Sequence, residues 1–267
     1  MHLMIDQKSM SGLKTWFDNY VRRFRSDDRR YQMNIDLKEM HTRRVCAEIV
    51  EIGKSLSLSR EELHLSEVIA LFHDVGRFEQ YAQYKTFSDL HSENHAILGI
   101  KVLKEEGVLE KIDPSTRELI LRSISYHNRA ELPDDEIGET LFYTKLLRDA
   151  DKLDIWSVVT DYYHRDDGAR NESIELGLPD SPEISSEACA DLLAGRTIKM
   201  KRLKTLNDFK LLQMSWIYDV NFPRTFQLVR ERGYLEMLRD ALPQTDMVFT
   251  MYASVKSYLE ENCCIYS

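Results

Sequence analysis

The stretch Ala70-Leu71-Phe72-His73-Asp74-Val75-Gly76-Arg77 carries the strongest structural signal in the chain. In it an apolar run of helical character ends in an imidazole that is followed directly by a carboxylate. Charged carboxylates are rarely buried without a partner, and a metal ion is the partner that would explain this placement. The stretch therefore predicts a buried helix that ends at a metal site.

Adjacent residues on a helix point in different directions. His73 and Asp74 can converge on one site only if the helix ends or unwinds where they stand. Gly76 predicts such a helix stop. We expect a polar, aromatic loop to follow, from Phe78 to Phe87.

The rest of the chain has apolar residues at helical spacing, with only ten glycines and six prolines, and no alternating pattern that indicates a strand. This predicts an all-α fold. Ser59 and Glu62 form the pattern of a capping box, and Asp113-Pro114 is typical of a helix start. The expected helices cover roughly 10–26, 35–54, 60–74, 92–106, 114–127, 136–164, 185–194, 207–221, 223–232, 234–241 and 245–260.

A chain of 267 residues suits one large domain or a core with an extension. We predict a helical core with the metal site over 10–165, a loop or flap over 166–184, and a C-terminal helical extension over 185–267 that packs on the core. The helices of this extension contain no histidine. They would form a cap over the core or a surface for homo-oligomer formation.

The composition, with 43% hydrophobic and 30% charged residues, is that of an ordinary folded protein. No apolar run approaches a membrane span and the start of the chain lacks a signal-peptide pattern, so a cytoplasmic protein without a membrane partner is expected. The net charge of −9 argues against nucleic-acid binding. Four cysteines without a CxxC pair indicate reduced thiols and disfavour a thiolate metal site.

Six residues on five predicted helical segments offer nitrogen or oxygen ligands. They are His41, His73, Asp74, His95, His127 and Asp151. A single histidine on an apolar face is more often a packed core residue than a ligand, but the whole set favours a metal site. Such ligands suit Fe, Mn, Co, Ni or Zn. Since six exceed what one catalytic ion needs, two divalent ions that share Asp74 as a bridge, about 3.5–4 Å apart, would explain the number.

The ordered pattern His41 … His73-Asp74 … Asp151 resembles the HD-domain metal-dependent phosphohydrolases over roughly residues 35–160. The strings that carry the resemblance are Leu71-Phe72-His73-Asp74-Val75-Gly76-Arg77 and Arg148-Asp149-Ala150-Asp151-Lys152-Leu153-Asp154. It implies a helical bundle, here with additional C-terminal helices. It also implies hydrolysis of phosphoesters of nucleotides, cyclic dinucleotides or dinucleoside polyphosphates.

His95 and His127 resemble the additional ligands of binuclear members, which include the HD-GYP phosphodiesterases and bacterial diadenosine tetraphosphate hydrolases. Asn128-Arg129-Ala130 follows His127, where the HD-GYP proteins have Gly-Tyr-Pro. Specificity for cyclic di-GMP is therefore not implied.

The resemblance implies a hydrolase in which a metal-bound hydroxide attacks the phosphorus of a phosphomonoester or phosphodiester, with a small, nucleotide-like phosphorylated substrate. We assign catalytic roles to Asp74 and Arg77. Arg77 is also a candidate for substrate binding, because a guanidinium can clamp a phosphate bidentately. Weaker candidates for substrate contact are Lys85, His91, Arg129 and Lys152.

Two alternatives remain. The same ligand order resembles myo-inositol oxygenase and related di-iron oxygenases, which would act on a small polyol or phosphonate. A non-catalytic HD module that binds a nucleotide is the third hypothesis, and the intact ligand set argues against it.

Overall fold

The computed structural model describes residues 5–165 and 171–264, and this part of the chain contains helices and turns but no strand. The predicted all-α fold is therefore confirmed. No helix among these residues is both long enough and apolar enough to cross a membrane.

Thirteen α-helices can be assigned within the described ranges. They are α1 (Gln7–Arg22), α2 (Arg29–Ser55), α3 (Arg60–Phe72), α4 (Gly76–Tyr84), α5 (His95–Glu105), α6 (Pro114–Tyr126), α7 (Gly138–Tyr163), α8 (Glu172–Glu175), α9 (Ser186–Leu193), α10 (Leu206–Ser215), α11 (Pro223–Arg232), α12 (Tyr234–Asp240) and α13 (Asp246–Cys264). Short 3₁₀ helices cover Asp89–His91, Met200–Arg202 and Trp216–Asp219.

The chain divides into two compact units, Met1–Asp151 and Lys152–Ser267. The division into 10–165, 166–184 and 185–267, with the last segment packed on the core, stays a prediction. Of the expected loop or flap, residues 166–170 lie outside the described residues, and the short helix α8 follows them.

In the first unit, α3 lies at the centre of the packing. It contacts α1, α2 and α6, while α4 packs against α2 and α5. The capping box is present: the Ser59 hydroxyl accepts from the Glu62 amide, and the Glu62 carboxylate accepts from the Ser59 amide. These contacts fix the helix whose C-terminal end carries His73 and Asp74.

The expected loop from Phe78 to Phe87 is wrong, because residues 76–84 form helix α4. Phe78 and Tyr81 are three residues apart and both are buried, so they form one apolar helix face. An aromatic cluster with Phe17 and Tyr20 of α1 surrounds Phe78, with ring centroids 6.0 and 6.2 Å away.

In the second unit, α10 is buried along its whole length. It contacts α9 and α12, and α13 packs against α9, α11 and α12. The indole N–H of Trp156 donates to the carbonyl of Gln213 on α10 at 2.9 Å.

Candidate metal centre

The structure brings all six predicted ligands together within the first unit. His41 comes from the middle of α2, His95 is the first residue of α5, and Asp151 lies on α7. His73 and His127 are the residues directly after α3 and α6. Three overlapping groups have ligand atoms within 4.8 Å of one another and could hold a metal ion: His41, His73 and Asp74; His73, His127 and Asp151; and Asp74, His95 and His127.

The helix break at positions 73–75 is what allows His73 and Asp74 to face one site. Helix α3 ends at Phe72 and α4 begins at Gly76, with a turn between them. The sequence predicts this break, but glycine is needed at position 76 for a reason other than a left-handed helix stop. A methyl group on Gly76 would lie 2.2 Å from the carbonyl oxygen of His95 and 2.5 Å from the amide nitrogen of Gly99. Glycine is needed because the start of α5 crosses there in backbone contact.

The two oxygens of Asp74 face different imidazoles. Oδ2 lies 3.4 Å from Nε2 of His41 and 3.7 Å from Nε2 of His73. Oδ1 lies 3.3 Å from Nε2 of His95 and 4.0 Å from Nε2 of His127. This carboxylate therefore joins two sets of nitrogen ligands.

Asp151 lies nearest to the first of these sets, although it also forms one of the three ligand groups with His127. Its Oδ1 lies 3.1 Å from Nε2 of His41 and 3.7 Å from Nε2 of His73. Below, the His41 half denotes His41, His73, Asp151 and Oδ2 of Asp74. The His95 half denotes His95, His127 and Oδ1 of Asp74.

Backbone carbonyls fix the tautomers of two imidazoles. Nδ1 of His73 lies 2.7 Å from the carbonyl oxygen of Ala70, and Nδ1 of His127 lies 2.7 Å from that of Ile124. A carbonyl oxygen only accepts, so each Nδ1 must carry the proton and donate it. In the neutral imidazole Nε2 then holds a lone pair that points into the cluster.

Asp89 fixes the tautomer of His95 in the same way. Its carboxylate oxygens lie 2.8 and 2.9 Å from Nδ1 of His95, which must donate to them. Burial lowers the pKa of both His95 and His127, the latter to about 3, so both are neutral at neutral pH. Their Nε2 atoms are nevertheless only 3.1 Å apart. Two lone pairs at that distance repel each other unless a cation lies against both, so the pair fits a metal ion.

The carboxylates of the cluster fit a cation as well. Oδ1 of Asp151 is buried and accepts no hydrogen bond. Burial raises the pKa values of Asp74 and Asp151. For Asp74 the interactions with Lys38, His73, Arg77 and His41 together outweigh burial, and for Asp151 those with His41 and His73 do so. The pKa of each carboxyl lies well below its usual range. Both groups are therefore ionised, as metal ligands must be.

Nitrogen and carboxylate ligands without a thiolate suit borderline and hard divalent metals. The four cysteines are free, and none belongs to the groups that could hold an ion. The cluster therefore suits divalent metal ions, and their number and the choice among Fe, Mn, Co, Ni and Zn stay predictions.

Three residues around the ligands were missed from the sequence. Lys38 places its Nζ 2.7 Å from Oδ2 of Asp74. Asp89 orients His95, and the amide of Asn128 donates to Asp89 at 3.2 Å. Lys38 could have been found from its position one helical turn before His41. Asp89 lies between the expected loop and the next predicted helix, where no periodicity marks it.

Arg77 lies beside the cluster, and one nitrogen of its guanidinium, Nη1, is held by protein groups. Nη1 donates to the carbonyl of Phe87 at 2.5 Å, to Gln80 at 2.8 Å and to Asp89 at 3.0 Å. Nε lies 3.4 Å from Oδ1 of Asp74. Arg77 thus holds Asp89, and through it His95, in place. Its catalytic and substrate-binding roles stay predictions.

The four weaker candidates for substrate contact do not join the ligand groups. Lys85 is exposed and its ammonium lies 4.4 Å from the ring centroid of Tyr31. Arg129 is exposed and lies over the ring of Tyr126 at 4.6 Å.

His91 is exposed in the 3₁₀ helix before α5, which begins only at His95. His91 and His95 therefore do not lie on one α-helix. Lys152 belongs to the second unit, where its Nζ lies 2.7 Å from Oδ2 of Asp219.

Residues 39–156 match one family model, that of the HD domain. The match covers all six ligands, and with the His/Asp cluster described above it shows that this part of the chain is an HD domain. The searches of curated proteins and of solved structures found no significant match.

Proposed function

We propose that the HD domain of this chain makes it a metal-dependent phosphohydrolase that acts on a small phosphorylated compound, either a phosphomonoester or a phosphodiester. One observation carries the proposal: a buried carboxylate, Asp74, turns one oxygen toward His41 and His73 and the other toward His95 and His127. A carboxylate in this position suits a bridge between two divalent ions.

Two ions would divide the ligands into the two halves already defined. The His41 half would hold one ion through two imidazoles and two carboxylates. The His95 half would hold the other through two imidazoles and the shared carboxylate. When bound, such ions activate water for attack on phosphorus and neutralise charge on the phosphoryl oxygens.

The protein's own residues supply the geometry. The carbonyls of Ala70 and Ile124 and the carboxylate of Asp89 hold three imidazoles in the tautomer that presents Nε2 to the cluster. The low pKa values of His95 and His127 keep these ligands unprotonated at neutral pH. A nucleotide-like substrate would add its own phosphate oxygens as ligands, and such a substrate is typical of the HD family.

The proposal is tested by elemental analysis of the purified protein and by a panel of phosphomonoesters and phosphodiesters, each assayed with Mn, Fe, Co, Ni or Zn. We expect bound divalent metal and release of a phosphate or an alcohol that a chelator abolishes. Asp134→Asn, a change at an exposed carboxylate of the same unit, serves as the control and keeps both properties.

Two outcomes would overturn the proposal. Turnover that requires reduced iron and oxygen and yields an oxidised polyol or phosphonate would make the protein a di-iron oxygenase. Protein without metal that binds a nucleotide but turns over no substrate would make it a non-catalytic module.

A further inference from the structure

Among the described residues, Lys38 is the one cation in direct contact with Oδ2 of Asp74, which belongs to the His41 half. We propose that Lys38 is a substrate-binding residue, which holds a terminal phosphate of charge −2 more strongly than a phosphodiester of charge −1. This inference rests on the function proposed above and narrows its substrate class to phosphomonoesters.

The first argument is access. The side chains of the four imidazoles and of Asp74 are at most 6% exposed. The side chains of Lys38 and Asp151 are 17% and 20% exposed. Lys38 contacts the His41 half at Oδ2 of Asp74, and Asp151 is the most exposed member of that half. Because a substrate must approach where solvent reaches the cluster, it meets Lys38 as it arrives.

The second argument is hydrogen-bonding capacity. An ammonium group has three donors. Within residues 5–165 and 171–264, the acceptor that Lys38 reaches is Oδ2 of Asp74, at 2.7 Å. The ring of Phe87 lies 5.4 Å from Nζ and bounds the ammonium on another side. Donors therefore remain for a phosphoryl oxygen that lies next to Asp74.

The third argument is that protein groups already hold the other nearby cation, Arg77, in place through Nη1. Nη1 of Arg77 donates to the Phe87 carbonyl, Gln80 and Asp89. Moving Arg77 onto a substrate would release Asp89, which orients His95. Lys38 can contact a phosphate without disturbing any imidazole.

The preference for a phosphomonoester follows from charge. A phosphate monoester carries between −1.5 and −2 charges near pH 7, because its second pKa is about 6. A diester carries a single charge. The attraction to the Lys38 ammonium scales with the ligand charge, so removing that ammonium weakens monoester binding more than diester binding.

The test measures binding of methyl phosphate and dimethyl phosphate to metal-loaded protein by titration calorimetry at pH 8. The variants are Lys38→Met, which keeps the apolar stem, and Lys38→Arg, which keeps the charge. Lys101→Met, at an exposed lysine on α5, is the matched control. Metal content is measured for every variant, and circular dichroism checks that each is folded.

We expect Lys38→Met to retain its metal and to bind methyl phosphate about 10-fold to 100-fold more weakly, as the loss of a charged hydrogen bond implies. Binding of dimethyl phosphate should weaken less. Lys38→Arg should recover most of the affinity for methyl phosphate, and Lys101→Met should match the wild type.

The inference fails if Lys38→Met binds methyl phosphate as the wild type does, or if it weakens both ligands equally. It also fails if Lys38→Met or Lys38→Arg loses metal, because Lys38 would then be only a counter-ion for Asp74. In these cases wild-type hydrolysis still supports the proposed function. Wild-type protein that holds metal but binds neither ligand and hydrolyses no phosphoester would overturn both.

Discussion

The two halves of the cluster are built from different ligands. The His41 half has two imidazoles and two carboxylates, because Asp151 joins Asp74 there. The His95 half has two imidazoles and the shared carboxylate, and the charge of Asp89 acts on it through the Nδ1 proton of His95.

This difference indicates two ways of holding a cation. The His41 half places negative charge among the ligands themselves, on Asp74 and Asp151. The His95 half relies on the carboxylate of Asp89, which accepts a hydrogen bond from His95 on the side away from the cluster. This hydrogen bond orients the imidazole and raises its basicity. We therefore expect the His41 half to bind metal more tightly and the His95 half to depend more on its surroundings.

The largest effect should come from Asp74→Ala, since this carboxylate belongs to both halves. We expect loss of bound metal from both and a fall in turnover on the order of 10³-fold or more. Elemental analysis and phosphatase assays check this. A variant that keeps its metal and its turnover would refute the bridging role of Asp74.

Removing one imidazole from each half should separate them. His127→Ala should lose metal from the His95 half and keep the ion held by Asp74 and Asp151. His41→Ala should weaken the half that binds more tightly. Metal-to-protein ratios at increasing chelator concentration measure both, and equal losses in the two variants would show that the halves are not distinct.

Asp89→Asn should affect the His95 half alone. The amide keeps the shape of Asp89 but removes its charge and allows the wrong tautomer of His95. Such changes typically weaken metal binding about 10-fold to 100-fold. Titration with Co²⁺ or Zn²⁺ should show one weakened site and one unchanged site, while Asp134→Asn leaves both unchanged. Two weakened sites would contradict this assignment.

The smallest effect that we expect is a pH dependence of the free energy of unfolding of the metal-free protein. Burial lowers the pKa of His127 to about 3, from an ordinary value of 6.5. Between these values the unfolded chain binds more protons than the folded chain, so the free energy of unfolding falls as pH decreases. One such histidine contributes at most about 1.4 kcal/mol per pH unit.

Thermal unfolding of chelator-treated protein between pH 7.5 and 5 measures this slope. His127→Gln removes the titrating group and should flatten it. An unchanged slope in the variant would assign the effect to other groups, such as His95.

The sequence was sufficient to single out the residues that cluster, because several of them stand at marked points of a helical pattern. His73-Asp74 ends an apolar run, and Asp113-Pro114 fixes the start of the helix that His127 follows. The amphipathic pattern also located α2 and α7. These signals come from residues that are close along the chain, so they can be recognised without knowledge of the fold.

The orienting residues depend on contacts that are distant along the chain. Lys38 meets Asp74 across 36 positions, and Asn128 meets Asp89 across 39. The sequence does not predict helix α4, because Gly76 there indicates a helix stop. Position 76 requires glycine because α5 approaches it closely, and this contact exists only in the folded protein.

The backbone contact between Gly76 and Gly99 has a consequence for the spacing of the two halves. Asp74 precedes the first glycine by two residues, and His95 precedes the second by four. The main chains come so close there that position 76 has no room for a Cβ atom, so the spacing between Asp74 and His95 depends on a contact between two backbones. A methyl group added at position 76 would collide with the backbone of α5 and push this helix outward. The distances between Asp74 and the residues of α5 would then increase.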